Sequence, residues 1–142
     1  MSDAELDGLT YARRQIGGEP ASAFARRLGL KVKSVELGEV VVTVEPDEHA
    51  LNVGGTVHGG FLTGMMDFAS GFAAKSALPA GFRGVHAQAT YSFLRAARAG
   101  IVLECRATCA KPPKTLAHVS CEVRAEGRLV ATGTAVLAVV PS

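Results

Sequence analysis

Polar and apolar positions change rhythm several times along this chain. Residues 4–29 are rich in helix formers, with a break at Gly17-Gly18-Glu19-Pro20. A second short helix is predicted from Ala21 to Leu28, stopped by Gly29. From 31 to 45 the rhythm shortens to alternation and then to a β-branched run, Val40-Val41-Val42-Thr43-Val44. That predicts one strand, or a tight strand pair around Gly38, ended by Pro46. After a loop at 46–58, an apolar segment extends from Gly59 to about Leu78. It is too long for a typical strand, and Leu62, Met65, Met66, Ala69, Ala73 and Ala74 suit a helix that Pro79 closes. Gly60, Gly64 and Gly71 are expected to let this helix approach a sheet or a partner closely.

Val85 to Phe93 then alternates, with apolar residues at the odd positions. Ile101–Ala110, Leu116–Ala125 and Leu129–Val140 read as three further strands. The intervening turns are Ala99-Gly100, Lys111-Pro112-Pro113-Lys114 and Glu126-Gly127-Arg128. Connections this short favour antiparallel neighbours. The order is helix, strand, long helix, then four strands. It predicts an α+β fold in which an antiparallel sheet of about five strands wraps around one long helix.

Composition narrows the function classes. A chain of 142 residues fits one domain and can bury roughly 68–70% of its unfolded surface without a staple. The 15 basic and 13 acidic residues leave a net charge of +2, too weak to argue for nucleic acid or an anionic membrane. Aromatic residues are only 6%, which makes a base-stacking surface a poor expectation. Cys105, Cys109 and Cys121 are odd in number and lack CxxC spacing. They read as small core residues and reduced thiols of a cytoplasmic protein rather than a disulfide framework or a zinc site. The start of the chain shows no basic and apolar secretory pattern. Asp67, Lys75 and several glycines make the 59–79 segment a core helix and not a membrane span.

Two features of the long helix carry candidate chemistry. Asp67 stands in the apolar run Leu62-Thr63-Gly64-Met65-Met66-Asp67-Phe68-Ala69, where a buried carboxylate is expected. Such a group is either a general base or nucleophile, or a structural carboxylate that caps a loop or pairs with an arginine. The second feature is His58-Gly59-Gly60 at the predicted helix start. Free N–H groups there point outward, and glycine lets a substrate reach them, which is the chemistry of an oxyanion hole. A glycine-rich tight turn is the simpler alternative. His49 and His118 have no ligand partner at useful spacing and read as surface or packing residues. Phe61, Met65, Met66 and Phe68 read as core.

The run Asn52-(five residues)-His58-Gly59-Gly60-(six residues)-Asp67 resembles the hotdog-fold thioesterases, in particular their PaaI-like, phenylacetate-pathway branch. Tyr91-Ser92-Phe93-Leu94-Arg95-Ala96-Ala97-Arg98-Ala99-Gly100 resembles that family's strand and turn after the helix. Gly127 to Gly133 resembles its last hairpin, so the likeness covers roughly 30–140. It implies a hotdog core over 31–142, a helical segment over 1–30, and one domain overall. It also implies hydrolysis of an aromatic or medium-chain acyl-CoA to free acid and coenzyme A. By the same resemblance Asp67 is the base or nucleophile, and Gly59 supplies the N–H that polarises the carbonyl. His58 and Asn52 shape the site, and Asn52 could also contact the carbonyl or the attacking water. Gly60, His86, Arg95 and Arg98 are the expected substrate-binding residues, with the arginines available for coenzyme A phosphates. His86 stands where the family usually has Ser or Thr, and is expected to bind water, tune Asp67, or merely occupy a polar strand face. No metal or bound cofactor is implied, coenzyme A being part of the substrate.

Helix geometry adds one expectation. Gly59 and Asp67 are eight positions apart, roughly 12 Å along a helix. Both groups must lie about 3 Å from one reacting centre. If they act on one carbonyl, two copies of the helix must meet, and a homodimer or homotetramer with interfacial sites follows. Two rivals stand against this reading: a non-catalytic acyl-CoA sensor, which would normally carry an appended domain, and a hotdog hydratase or dehydratase. The differently spaced His-acid motif of the latter is not found around His58.

Overall fold

The structure, a computed structural model, describes residues 2–142. Two short helices precede the sheet: α1 (Gly8–Arg13), capped by the Asp7 carboxylate on the Thr10 N–H, and α2 (Ala23–Leu28), capped by Ser22. Gly29 ends α2 in the left-handed conformation, as expected of a helix stop. Then come β1 (Lys31–Glu36), β2 (Glu39–Val44), α3 (Gly59–Ser76), β3 (Phe82–Phe93), β4 (Leu103–Cys109), β5 (Leu116–Ala125) and β6 (Arg128–Pro141). The stretch 31–45 is therefore a strand pair, and the described residues form six strands where about five were predicted. The pair turns at Gly38, whose φ is +76° and where a side chain would strike the Cys109 carbonyl.

The strands form one antiparallel sheet in the order β1-β2-β4-β5-β6-β3. The sheet packs against α3, and α1 and α2 close over the same helix. That explains why α3 is apolar nearly all round: it is covered on several sides. Met65, Met66, Ala69, Ala73 and Ala74 are fully buried, as are Val40, Val42, Leu103, Cys105 and Val123 facing them. The buried Ser76 hydroxyl donates to the Ala73 carbonyl and accepts the Gly38 N–H, tying the end of α3 to the β1–β2 turn. Gly64 faces α2. The Phe24 ring and Leu28 of α2 lie 3.0 Å from where its Cβ would be, so that glycine makes room for the N-terminal helices. No helix among the described residues is long and apolar enough to cross a membrane.

Strand β3 departs from its sequence pattern. It lies at the sheet edge and is mostly exposed, including Val85, Ala87 and Ala89. A β-bulge interrupts its pairing with β6: His86 opposes Leu137 and Gln88 opposes Val136, leaving Ala87 unpaired. One inserted residue reverses which parity faces inward. Before the bulge the even positions Gly84 and His86 face α3, with Ala74 and Gly71 as neighbours. After it the odd positions Tyr91 and Phe93 face inward, Tyr91 against Gly133 and Phe93 against Gly59. The odd-position alternation therefore holds only in the second half of the strand.

Candidate active site

Helix α3 begins at an arrangement that sorts its N–H groups. His58 is the N-cap, and its Nδ1 accepts the Gly60 N–H at 2.8 Å. The His58 carbonyl accepts from Phe61 and Leu62. Of the four amides of the first turn, Gly59 alone makes no hydrogen bond among the described residues. It opens on a depression of about 420 Å³ that Asn52, Phe93 and Arg95 also line. The Phe93 ring stands 3.6 Å from where a Cβ on Gly59 would be, an ordinary contact.

Asn52 is held rather than free. Its Oδ1 accepts the N–H groups of Gly54 and Thr56, and its Nδ2 donates to the Thr56 hydroxyl at 3.0 Å. These bonds make the 52–56 loop compact and set the wall of the Gly59 depression. Arg95 borders this depression, whereas Arg98 lies on an exposed loop and lines neither this depression nor the one beside Asp67.

Asp67 lies two turns further along α3 and overturns one expectation. Its side chain is 55% exposed, not sequestered among apolar neighbours. The apolar residues flanking it face the sheet and the N-terminal helices. Asp67 itself lies on a strip with Gly60, Thr63 and Gly71 that the protomer leaves partly open. Among the described residues it makes no arginine pair. Its side chain meets His86, whose Nδ1 is 3.6 Å from Oδ2. Both line a second depression of about 620 Å³, walled by Tyr11, Phe68 and Phe72 and bordered by Lys75. The aromatic wall is continuous, with ring centroids 4.7 Å apart for Phe68–Phe72 and 6.2 Å for Tyr11–Phe72. Lys75 donates to the Phe82 carbonyl, and burial pulls its pKa below the usual lysine range. Tyr91 of β3, which no motif in the sequence marks as a site residue, is also nearby. Burial first, and then the Asp67 charge, push its phenol up to about 12. The bulge that turns Tyr91 inward left no sign in the order of residues.

The Gly59 and Asp67 depressions share no lining residue. The other candidates keep their bland roles. His49 and His118 are exposed, and the three cysteines are free and buried. Burial raises the Cys109 thiol, which disfavours the thiolate a nucleophile needs. Among the described residues no three His, Cys, Asp or Glu side chains cluster as a metal would require.

A single antiparallel sheet against one long helix is an architecture also found in known proteins. The sequence model of the Thioesterase superfamily matches residues 54–132, and the chain belongs to that family. It is a PaaI-like hotdog thioesterase, a thioester hydrolase. A relative from Deinococcus radiodurans named "Putative esterase" is 39% identical over 115 residues, covering 78% of this chain and 75% of the relative. A mutant of the phenylacetic acid degradation protein PaaI from Thermus thermophilus superposes with a TM-score of 0.76 at 33% identity, over 82% of this chain and 98% of the other. PaaI from the phenylacetic acid degradation operon of E. coli gives 0.80 at 27% identity, over 86% and 87%. A Streptococcus mutans protein bound to acetyl CoA gives 0.74 at 28% identity, over 80% and 90%.

Proposed function

We infer that this enzyme is a cytoplasmic acyl-CoA thioesterase whose active sites form between two copies of the chain. The observation that carries this reading is the separation of its two reactive halves. The free Gly59 amide and the Asp67 carboxylate occupy distinct depressions on one protomer. The exposed edge strand β3 runs beside both, from Arg83 in one depression to Phe93 in the other. A second copy laid antiparallel along this edge would bring each Asp67 to the other chain's Gly59.

In the reaction, Asp67 takes a proton from water as the water oxygen attacks the thioester carbonyl carbon. The Gly59 N–H holds the resulting oxyanion. Collapse breaks the carbon–sulfur bond, and the proton on Asp67 passes to the departing thiolate, giving free acid and coenzyme A. His58 and Asn52 act by fixing the helix start and the 52–56 loop. Arg95, beside the Gly59 depression, is placed to meet a coenzyme A phosphate. The Tyr11–Phe68–Phe72 wall favours an aromatic or medium-chain acyl group. The acetyl CoA held by the Streptococcus mutans relative and the phenylacetic acid setting of the PaaI relatives support both halves of this substrate. No cofactor enters the scheme.

The test is thiol release across aromatic and aliphatic acyl-CoA esters by wild type and Asp67→Asn. Loss of a general base predicts a fall in turnover of about 10²–10⁴-fold at unchanged folding. Undiminished turnover would refute the assignment. Single turnover in heavy-oxygen water separates the base role from nucleophilic attack, which would leave the label in Asp67. Binding without thiol release would favour a sensor instead, and hydration of an enoyl-CoA would favour a hydratase.

A further inference from the structure

We propose that His86 is a positioning residue for Asp67, carrying its proton on Nδ1 and donating it to the carboxylate. The inference rests on the reading of Asp67 as the general base. Three observations lead to it. The β-bulge at Ala87 turns His86 inward, onto the helix face that bears Asp67. The ring lies against α3 at Gly71, one turn beyond Asp67, with His86 Cε1 3.8 Å from where a Cβ on that glycine would stand, an ordinary contact. The ring's two nitrogens then meet opposite environments. Nδ1 faces Asp67 Oδ2 at 3.6 Å, whereas Nε2 is buried and has no hydrogen-bond partner among the described residues.

A neutral imidazole carries one N–H, and these surroundings choose where it goes. A proton on Nε2 would be a buried donor without an acceptor, with the Nδ1 lone pair turned toward a carboxylate. A proton on Nδ1 points a donor at that carboxylate and leaves only a lone pair in the sealed position. At 3.6 Å the contact is slightly too long for a hydrogen bond, and such contacts in unliganded sites tighten when substrate binds. Donation to Oδ2 would fix the plane of the carboxylate and leave Oδ1 to receive the proton of the attacking water. The imidazole takes no part in proton transfer to substrate.

The test joins a spectroscopic readout to kinetics on the intact enzyme. Imidazole nitrogen NMR of isotope-labelled protein at pH 8, with His86 assigned by its loss in His86→Asn, reports the tautomer. The expected signal is Nδ1–H, the minor form of free histidine. His86→Asn keeps a neutral donor near the same place and is expected to keep kcat within about threefold. His86→Leu fills the space without a donor and is expected to lower kcat about 10–100-fold at nearly constant KM. A proton on Nε2, wild-type kcat in His86→Leu, or equal impairment of the Asn and Leu variants would each overturn the proposal. Asp67→Asn run alongside separates the two claims. Its full activity would sink the general-base reading, whereas its inactivity together with an Nε2–H tautomer would sink only this one.

Discussion

Strands β5 and β3 both alternate in sequence, yet only one of them alternates in burial. In β5 the odd positions Ala117, Val119, Cys121 and Val123 are buried and the even ones from Leu116 to Arg124 are exposed, without exception. In β3 the odd positions Val85, Ala87, Ala89 and Phe93 are exposed, and Tyr91 alone among the odd positions is half-buried. β5 lies inside the sheet, with β4 and β6 on either side and α3 beneath it, so its pattern is satisfied within one chain. β3 has a neighbour on one side only, and Val85, Ala87 and Ala89 stay exposed among the described residues. An exposed edge strand with unused alternation is a surface on which another strand can pair. The candidate chemistry stands on that side of the molecule: His86 is on β3, and Asp67 and Gly59 lie against it.

The largest expected effect is on β5. Val123 is fully buried, and Val123→Asp places an unpaired carboxylate in the core. The cost, several kcal/mol or more, is a large fraction of what holds a domain together. Circular dichroism should show a chain that no longer folds cooperatively, and a native spectrum would break the contrast. On β3 the matching change is Ala87→Glu. Ala87 is exposed and unpaired with β6, so the protomer should keep its secondary structure. Its new charge would face a second copy, and sedimentation should show a halved mass with turnover reduced more than about tenfold. Unchanged mass and turnover would mean that β3 is not the contact. The smallest effect concerns Tyr91. In a Tyr11→Phe background one phenol remains to titrate. Asp67→Asn removes the negative charge that adds to burial in raising it, so absorbance titration should show its pKa moving down from about 12. Burial, the larger cause, persists, so the shift is partial. An unmoved titration would place the Asp67 charge away from Tyr91.

Much of this fold was legible before the structure, because local rules governed it. His58 as N-cap, Gly29 as helix stop and Glu126-Gly127 as a turn with both residues at positive φ are decided by a few neighbouring residues. The β5 and β6 strands follow from alternation and short turns. The Asn52–His58–Gly59–Gly60–Asp67 run was legible as a motif, and the structure puts Asn52 and Gly59 in one depression and Asp67 in another. What escaped depends on distant partners. Apolar neighbours along α3 made Asp67 look buried, yet they face other directions around the helix. The bulge at Ala87 is set by the register of β3 on β6, which no local pattern encodes, and next to it His86 faces Asp67. The docking of α2 on Gly64 is long-range in the same way.

The central claim is that one chain's Asp67 works with the other chain's Gly59, and subunit complementation addresses it directly. Asp67→Asn and Gly59→Val, each inactive alone, are co-expressed with different tags and the mixed assemblies assayed for thiol release. In a mixed pair one site keeps Asp67 and an open Gly59 amide, while the other lacks the carboxylate and has its residue-59 amide obstructed by the valine side chain. Random assortment then predicts recovery of about a quarter of wild-type turnover, concentrated in the doubly tagged fraction. A doubly tagged fraction as inactive as its parents would mean that both groups serve a site within one chain, and the two-copy account would be wrong.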